Sequence, residues 1–196
     1  MLVSNIINVL QNMQISLYNT GENHYYIEES VLGGNFSEKD FKECLSHYST
    51  GITVVSTSDS NGELYALTVN SFTSVSLKPP LVLFCLNKSS RSLGAFLESD
   101  SFAVTILDYS QHNIAKSFSS SNPDKWDGIN YVLGATGSPI ILPNLSFMEC
   151  EKFTDYEAGD HYIIIGKVIH LDVAKADKKN PLIYFRGAYH HSPQPV

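Results

Sequence analysis

The sequence predicts a mainly β protein, a closed antiparallel barrel with a few flanking helices. Three observations lead there. Apolar-rich runs of strand length recur between turn residues, few stretches carry a helical period, and no repeat, low-complexity tract or linker interrupts them. With 196 residues, 43% hydrophobic and 17% charged, the chain is long enough for a substantial core and too apolar for disorder.

In chain order, Ile6, Val9, Leu10, Met13 and Leu17 recur at helical spacing, predicting a short amphipathic helix in an extension over residues 1–35. That helix would pack on its own barrel or on a partner subunit. Asn19 to Asn23 reads as a turn and Gly33-Gly34 as a second break. The barrel domain is expected over 36–196. Ser37, with Asp40 three residues on, suits the N-cap of a helix carrying Phe41, Cys44, Leu45 and Tyr48, with Gly51 as its end. Strands follow at Ile52–Thr57 and Leu64–Phe72, around a turn at Asp59–Gly62. Leu81–Leu86 is a fully apolar strand, Ser92–Glu98 a helix and Phe102–Leu107 a strand. Gln111–Phe118 has helical periodicity. Later strands are expected at Ile140–Leu142, Leu145–Phe153, His161–Asp172 and Leu182–Phe185.

A net charge of −7 and a pI of ≈ 5.4 argue against a nucleic-acid partner, which needs a basic footprint. Only two arginines occur, Arg91 and Arg186, so any anion site has few candidates. The three cysteines, Cys44, Cys85 and Cys150, have neither metal-ligand nor disulfide-framework spacing and suit a reducing cytoplasm. No run approaches membrane-span length, and the first Lys or Arg is Lys39, so neither a membrane span nor a signal peptide is expected.

The most informative segment is Ala66 to Leu86. Thr68, Asn70, Ser71, Thr73, Ser74 and Ser76 alternate with Leu67, Val69, Phe72 and Val75, then Pro79-Pro80 leads into the apolar strand. The pattern predicts a half-buried strand and turn. Buried hydroxyls and amides need partners, which a β-edge Ser/Thr ladder or a polar planar ligand would supply.

This segment resembles the central signature of the short-chain flavin reductases, the flavin reductase-like group of the FMN-binding split-barrel superfamily. Tyr48–Ser56, Phe102–Leu107, Gln111–Phe118, Gly159–Gly166 and Pro181–Tyr189 continue the resemblance in order and spacing, from about Phe36 to His190. The resemblance sharpens the fold to a Greek-key split β-barrel. It implies an NAD(P)H:flavin oxidoreductase that passes hydride from NADH or NADPH to FMN or FAD and supplies reduced flavin to a separate monooxygenase. It also implies a homodimer whose interface borders the flavin site.

Position by position, the resemblance sets Thr68, Asn70 and Ser71 against the isoalloxazine or ribityl region. Ser74, Val75 and Ser76 would offer hydroxyls and backbone N–H groups to the polar edge of the ring. Cys85, Asn87, Ser89, Ser90 and Arg91 follow the apolar strand, and Asn87–Arg91 resembles the phosphate-binding turn. His161 would be the catalytic candidate, touching nicotinamide or pyrophosphate, and Tyr184, in preference to Tyr189, would border the flavin where it does not pack in the core. Phe118 and Trp126 would cover a ring or fill the core. No metal site is expected. Ala66 stands where the family commonly has glycine and Lys78 where an acidic residue is frequent. A non-enzymatic FMN-binding electron carrier or sensor of the same fold is the alternative, and a barrel repurposed for haem or for protein interaction a third.

Overall fold

The computed structural model describes residues 17–19, 25–27, 36–120, 122, 125–174 and 180–191. The chain divides into two compact units, Met1–Leu45 and Ser46–Val196. In the first unit, strands β1 (Leu17–Asn19) and β2 (Tyr25–Ile27) pair antiparallel. Leu17 is therefore in a strand instead of a helix; the rest of the expected helix and the two glycine breaks lie outside the described residues. Helix α1 (Glu38–Ser46) starts as predicted. The Ser37 hydroxyl accepts the Asp40 N–H at 3.2 Å, and the Asp40 carboxylate accepts the Ser37 N–H at 2.9 Å, a reciprocal cap. The helix ends at Ser46, before Tyr48, and Gly51 belongs to a strand.

The second unit is built on one antiparallel sheet of seven strands. These are β4 (Thr53–Ser58), β5 (Leu64–Val69), β6 (Thr73–Leu77), β7 (Pro80–Asn87), β8 (Ser101–Ile106), β11 (Ser146–Ala158) and β12 (His161–Val173), in the order β5-β4-β8-β11-β12-β7-β6. β5 and β6 lie at opposite edges of this order, yet only residues 70–72 join them. So short a link can bridge the edges only if the sheet curls round on itself, which makes a barrel split between β5 and β6. The Ser71 hydroxyl holds that link to β7, accepting the Cys85 N–H at 2.9 Å and donating to the Cys85 carbonyl at 3.3 Å.

Side chains alternate across the strands and make two cores. Inside the barrel, Val55, Val69, Val82, Phe84, Leu86, Phe102, Val104, Cys150 and Ile164 pack around helix α2 (Leu93–Glu98), which contributes Phe96. Phe84 meets Phe96 and Phe102 edge-to-face at 5.5 and 5.3 Å. On the outer face, Val54 and Ala66 join Ile52, Leu107, Ile141 and Leu182 beneath helix α3 (His112–Ser119), which supplies Ala115 and Phe118. This second layer includes a sheet of β3 (Thr50–Gly51), β13 (Leu182–Phe185) and β14 (Ala188–His191), and a hairpin of β9 (Tyr131–Leu133) with β10 (Pro139–Ile141).

The predicted strands appear with shifted ends. β5 stops at Val69, and the hydroxyl-rich stretch after it is an edge strand with Thr73, Ser74, Val75 and Leu77 exposed, not half-buried. Its register with β7 shifts between Ser74 and Ser76, so Val75 is a bulge. β3, β9 and β14, two to four residues each, carry too little pattern to be read in advance.

Candidate functional site

A cleft of ≈ 680 Å³ opens along the outer face of β5, between that strand, the turn after β7 and the segment after α3. Its wall includes Thr68, Asn87, Ser89, Ser90 and Arg91, all expected from the sequence, together with Lys125 and Trp126.

The turn after β7 is preorganised by Asn87. Its side-chain carbonyl accepts both the Ser89 N–H at 2.8 Å and the Ser89 hydroxyl at 2.6 Å, and its backbone carbonyl accepts the Ser90 N–H at 2.9 Å. The Asn87 amide NH₂ is thereby left to donate elsewhere. Thr68 donates to the Ala115 carbonyl at 2.8 Å, which ties α3 to β5.

Two cations face the cleft. Burial is the larger cause that lowers the Lys125 ammonium below its ordinary value, and the charge of Arg91 adds to it. Lys125 donates to the Phe118 carbonyl at 3.4 Å. Cations held this close repel each other, and an anion between them reverses the sign of that interaction.

His161 is not part of the cleft wall but lies next to it through sheet register. It opens β12 directly opposite Asn87, after a two-residue turn in which Gly159 takes φ +60°. That conformation falls to glycine because a Cβ would be strained there. His161 Nδ1 lies 2.7 Å from the Asp160 carboxylate, which is held below the usual carboxylate range by that hydrogen bond and by the imidazole's charge. Nδ1 therefore donates to the carboxylate, which leaves Nε2 as the ring nitrogen facing a ligand. Lys88 N–H donates to the Asp160 carbonyl at 2.9 Å, and its ammonium pairs with Glu157, so this cation is engaged on the barrel wall.

The remaining candidates are spread more widely. Ser71 and Cys85 bond each other two residues behind Asn87. The Cys85 thiol is pushed up by burial, only partly offset by Ser71. Asn70 is exposed on the link between β5 and β6, while Ser74 and Val75 are exposed on β6. Ser76 spends its hydroxyl on the Pro79 carbonyl within the turn. Tyr184 lies in the second layer, with Thr50 and Tyr189 on either side and its ring 5.7 Å from that of Tyr189, outside the cleft wall. The structure thus gathers Thr68, Asn87, Ser89, Ser90 and Arg91, puts His161 beside them, and leaves the β6 edge and Tyr184 apart.

Lys125 is the cationic wall residue that sequence reasoning passed over, along with the acid Glu63. The signal was faint: a hydroxyl run, Ser117 to Ser120, followed by a lone cation before the single tryptophan. Among the described residues, no group of three His, Cys, Asp or Glu side chains could hold a metal ion, and no helix is long and apolar enough to cross a membrane.

Comparison with known proteins follows the same outline. The family model for the flavin reductase like domain matches residues 45–193. A flavin reductase of Pseudomonas putida is 40% identical over 149 residues, covering 76% of this chain and 86% of that protein. The reductase subunit HsaB of a flavin-dependent monooxygenase from Mycobacterium tuberculosis is 35% identical over 158 residues, covering 81% and 84%. The NADH:FAD oxidoreductase SgcE6 of Streptomyces globisporus, solved in complex with NAD and FAD fragments, is 32% identical with a TM-score of 0.75, covering 82% of this chain and 98% of that one.

Proposed function

Because the chain belongs to the flavin reductase-like family, we propose that it is an NAD(P)H:flavin oxidoreductase supplying reduced flavin to a separate monooxygenase. One observation carries the reading to this molecule's own residues: the cationic, hydroxyl-lined cleft ends at Asn87, with His161 in register beside it.

The residues fit a flavin. Arg91 matches a phosphate in charge, and the hydroxyls of Ser89 and Ser90 supply donors beside it. The Asn87 amide and the Thr68 hydroxyl suit the polar ribityl chain. Ser74 and the bulged Val75 present donors at the open β6 edge, where the polar rim of the ring would lie. Held by these residues, a flavin would supply the acceptor for hydride from the nicotinamide. The chain's task is then orientation: two planar groups in contact, water excluded, and donors aimed where negative charge develops. His161, with its ring oriented by Asp160, would position the nicotinamide or its pyrophosphate.

We further propose that the protein is a homodimer. On the face of β7 and β12 turned away from Phe84, Leu83 and Cys85 pair with Ile165 and Ile163, all half-buried. The neighbouring apolar side chains Val75, Leu77 and Tyr156 are 47%, 87% and 58% exposed. An apolar face of this extent, beside the β6 edge, suits a second copy completing the flavin site. The described cysteines are free thiols, which suits a cytoplasmic location.

The test is NADH and NADPH oxidation by the purified protein, with and without FMN or FAD, after its visible spectrum has been recorded. Oxidation should depend on flavin and fall about ten-fold or more in His161→Ala and in Arg91→Gln, the scale of one positioned charged contact. A yellow protein that oxidises neither nicotinamide would instead identify the electron carrier.

A further inference from the structure

The cleft extends past the groups that a flavin ring and one phosphate would use. From Thr68 and Asn87, beside His161, its wall follows β5 to Glu63 and Leu64. Thr68 and Leu64 lie four residues apart, about 13 Å along a strand. At the Leu64 end stands Trp126, the single tryptophan of the chain. Its indole N–H donates to the Leu64 carbonyl at 3.0 Å, and its ring meets Phe118 and Tyr131 edge-to-face at 4.9 and 5.1 Å. The indole is thus locked before any ligand arrives, so stacking a base on it costs little further ordering. Lys125 immediately precedes it, close enough to Arg91 to feel that charge. Glu63, the acid in the wall, belongs to the residue before Leu64, at the far end of β5 from Thr68.

We propose that this cleft takes the adenosine diphosphate arm of FAD, with the adenine against Trp126 and the two phosphates between Arg91 and Lys125, so that the chain prefers FAD to FMN. The proposal rests on the flavin reductase assignment above. NADH carries the same adenosine diphosphate group. FAD is the occupant because the cleft starts at Thr68, in the segment expected to face the flavin, and continues from there without a break to Trp126.

The experiment titrates the purified full-length protein separately with FAD, FMN, NADH and ADP. Trp126 fluorescence reports occupancy, and displacement assays rank the ligands. FAD should bind about ten-fold or more tighter than FMN, the scale of one base stacked on an aromatic ring. ADP alone should quench Trp126 and displace FAD. Lys125→Gln should bring the FAD and FMN dissociation constants within about two-fold of each other, as should Trp126→Leu, read by flavin fluorescence. Where Trp126→Leu does not fold, Lys125→Gln decides. Equal affinities for FMN and FAD in the unaltered protein, with equal NADH oxidation, would overturn the proposal and leave the reductase assignment standing. Displacement of ADP by NADH but not by FAD would overturn it too, giving the arm to the nicotinamide nucleotide. If neither flavin bound, both would fall.

Discussion

Glu149 shows how one side chain organises the back of the barrel. It is 4% exposed, and burial is the strongest single influence, raising its pKa. The Thr136 N–H at 2.8 Å, the Thr136 hydroxyl at 2.9 Å, the Ala135 N–H and the charge of His170 together outweigh burial and hold the carboxyl below its ordinary value. A carboxyl depressed on folding stabilises the protein fully above its unfolded pKa, near 4.3, and that stabilisation is lost as pH falls through the folded value. Glu149→Gln should therefore lower stability by about 1–3 kcal/mol at pH 7, and the difference from the unaltered protein should shrink toward pH 3. Thermal melts across that range check it; a difference that stays constant would show that the carboxylate charge is irrelevant.

Among the elements, β12 depends on the missing side chain at Gly166. At Gly166 a Cβ would stand 2.3 Å from the Phe102 ring and 2.8 Å from the Cys150 Cβ, both deep in the inner core. The glycine is required by the close approach of β12 to these side chains, since its φ lies outside the left-handed region. Gly166→Ala should cost about 1–3 kcal/mol by overpacking, and chemical denaturation would reveal it as a lower midpoint with an unchanged slope. An unchanged midpoint would mean that Phe102 can swing aside. The same crowded layer buries Cys150, whose thiol is pushed up to about 12. The split in the barrel is also an element-scale matter: β6 is short, bulged at Val75 and backed by β7 alone, so its outer edge stays open to a ring or to a partner.

For the whole molecule, the proposed self-association would be the property that joins fold to site. The half-buried row Leu83, Cys85, Ile163 and Ile165 ends where β6 presents Ser74 and Val75. Tyr156→Glu, which charges the side chain opposite Ile163, should shift the protein from dimer to monomer in sedimentation velocity and weaken flavin binding in parallel. A variant that stays dimeric, or a monomer that binds flavin undiminished, would separate the interface from the site. Acidic net charge keeps such a molecule soluble while the cleft concentrates two of its few cations.

The alternating apolar runs, the Ser37–Asp40 cap and the turn residues around Gly62 and Gly159 were legible in the sequence because each depends on neighbours a few residues away. So was the turn at Asn87–Arg91, in which Asn87 accepts from both Ser89 and Ser90. Other features depend on contacts made far along the chain. Strand order brings His161 opposite Asn87, 74 positions earlier, and the curl of the sheet brings the Leu64 carbonyl to Trp126, 62 positions later. Lys125 gains its meaning only beside Arg91, and the β6 hydroxyls prove exposed because no strand follows them at the sheet edge. Local propensity and pattern specify the elements; which groups share a cleft is decided by tertiary packing, because only packing sets distances between residues remote in sequence.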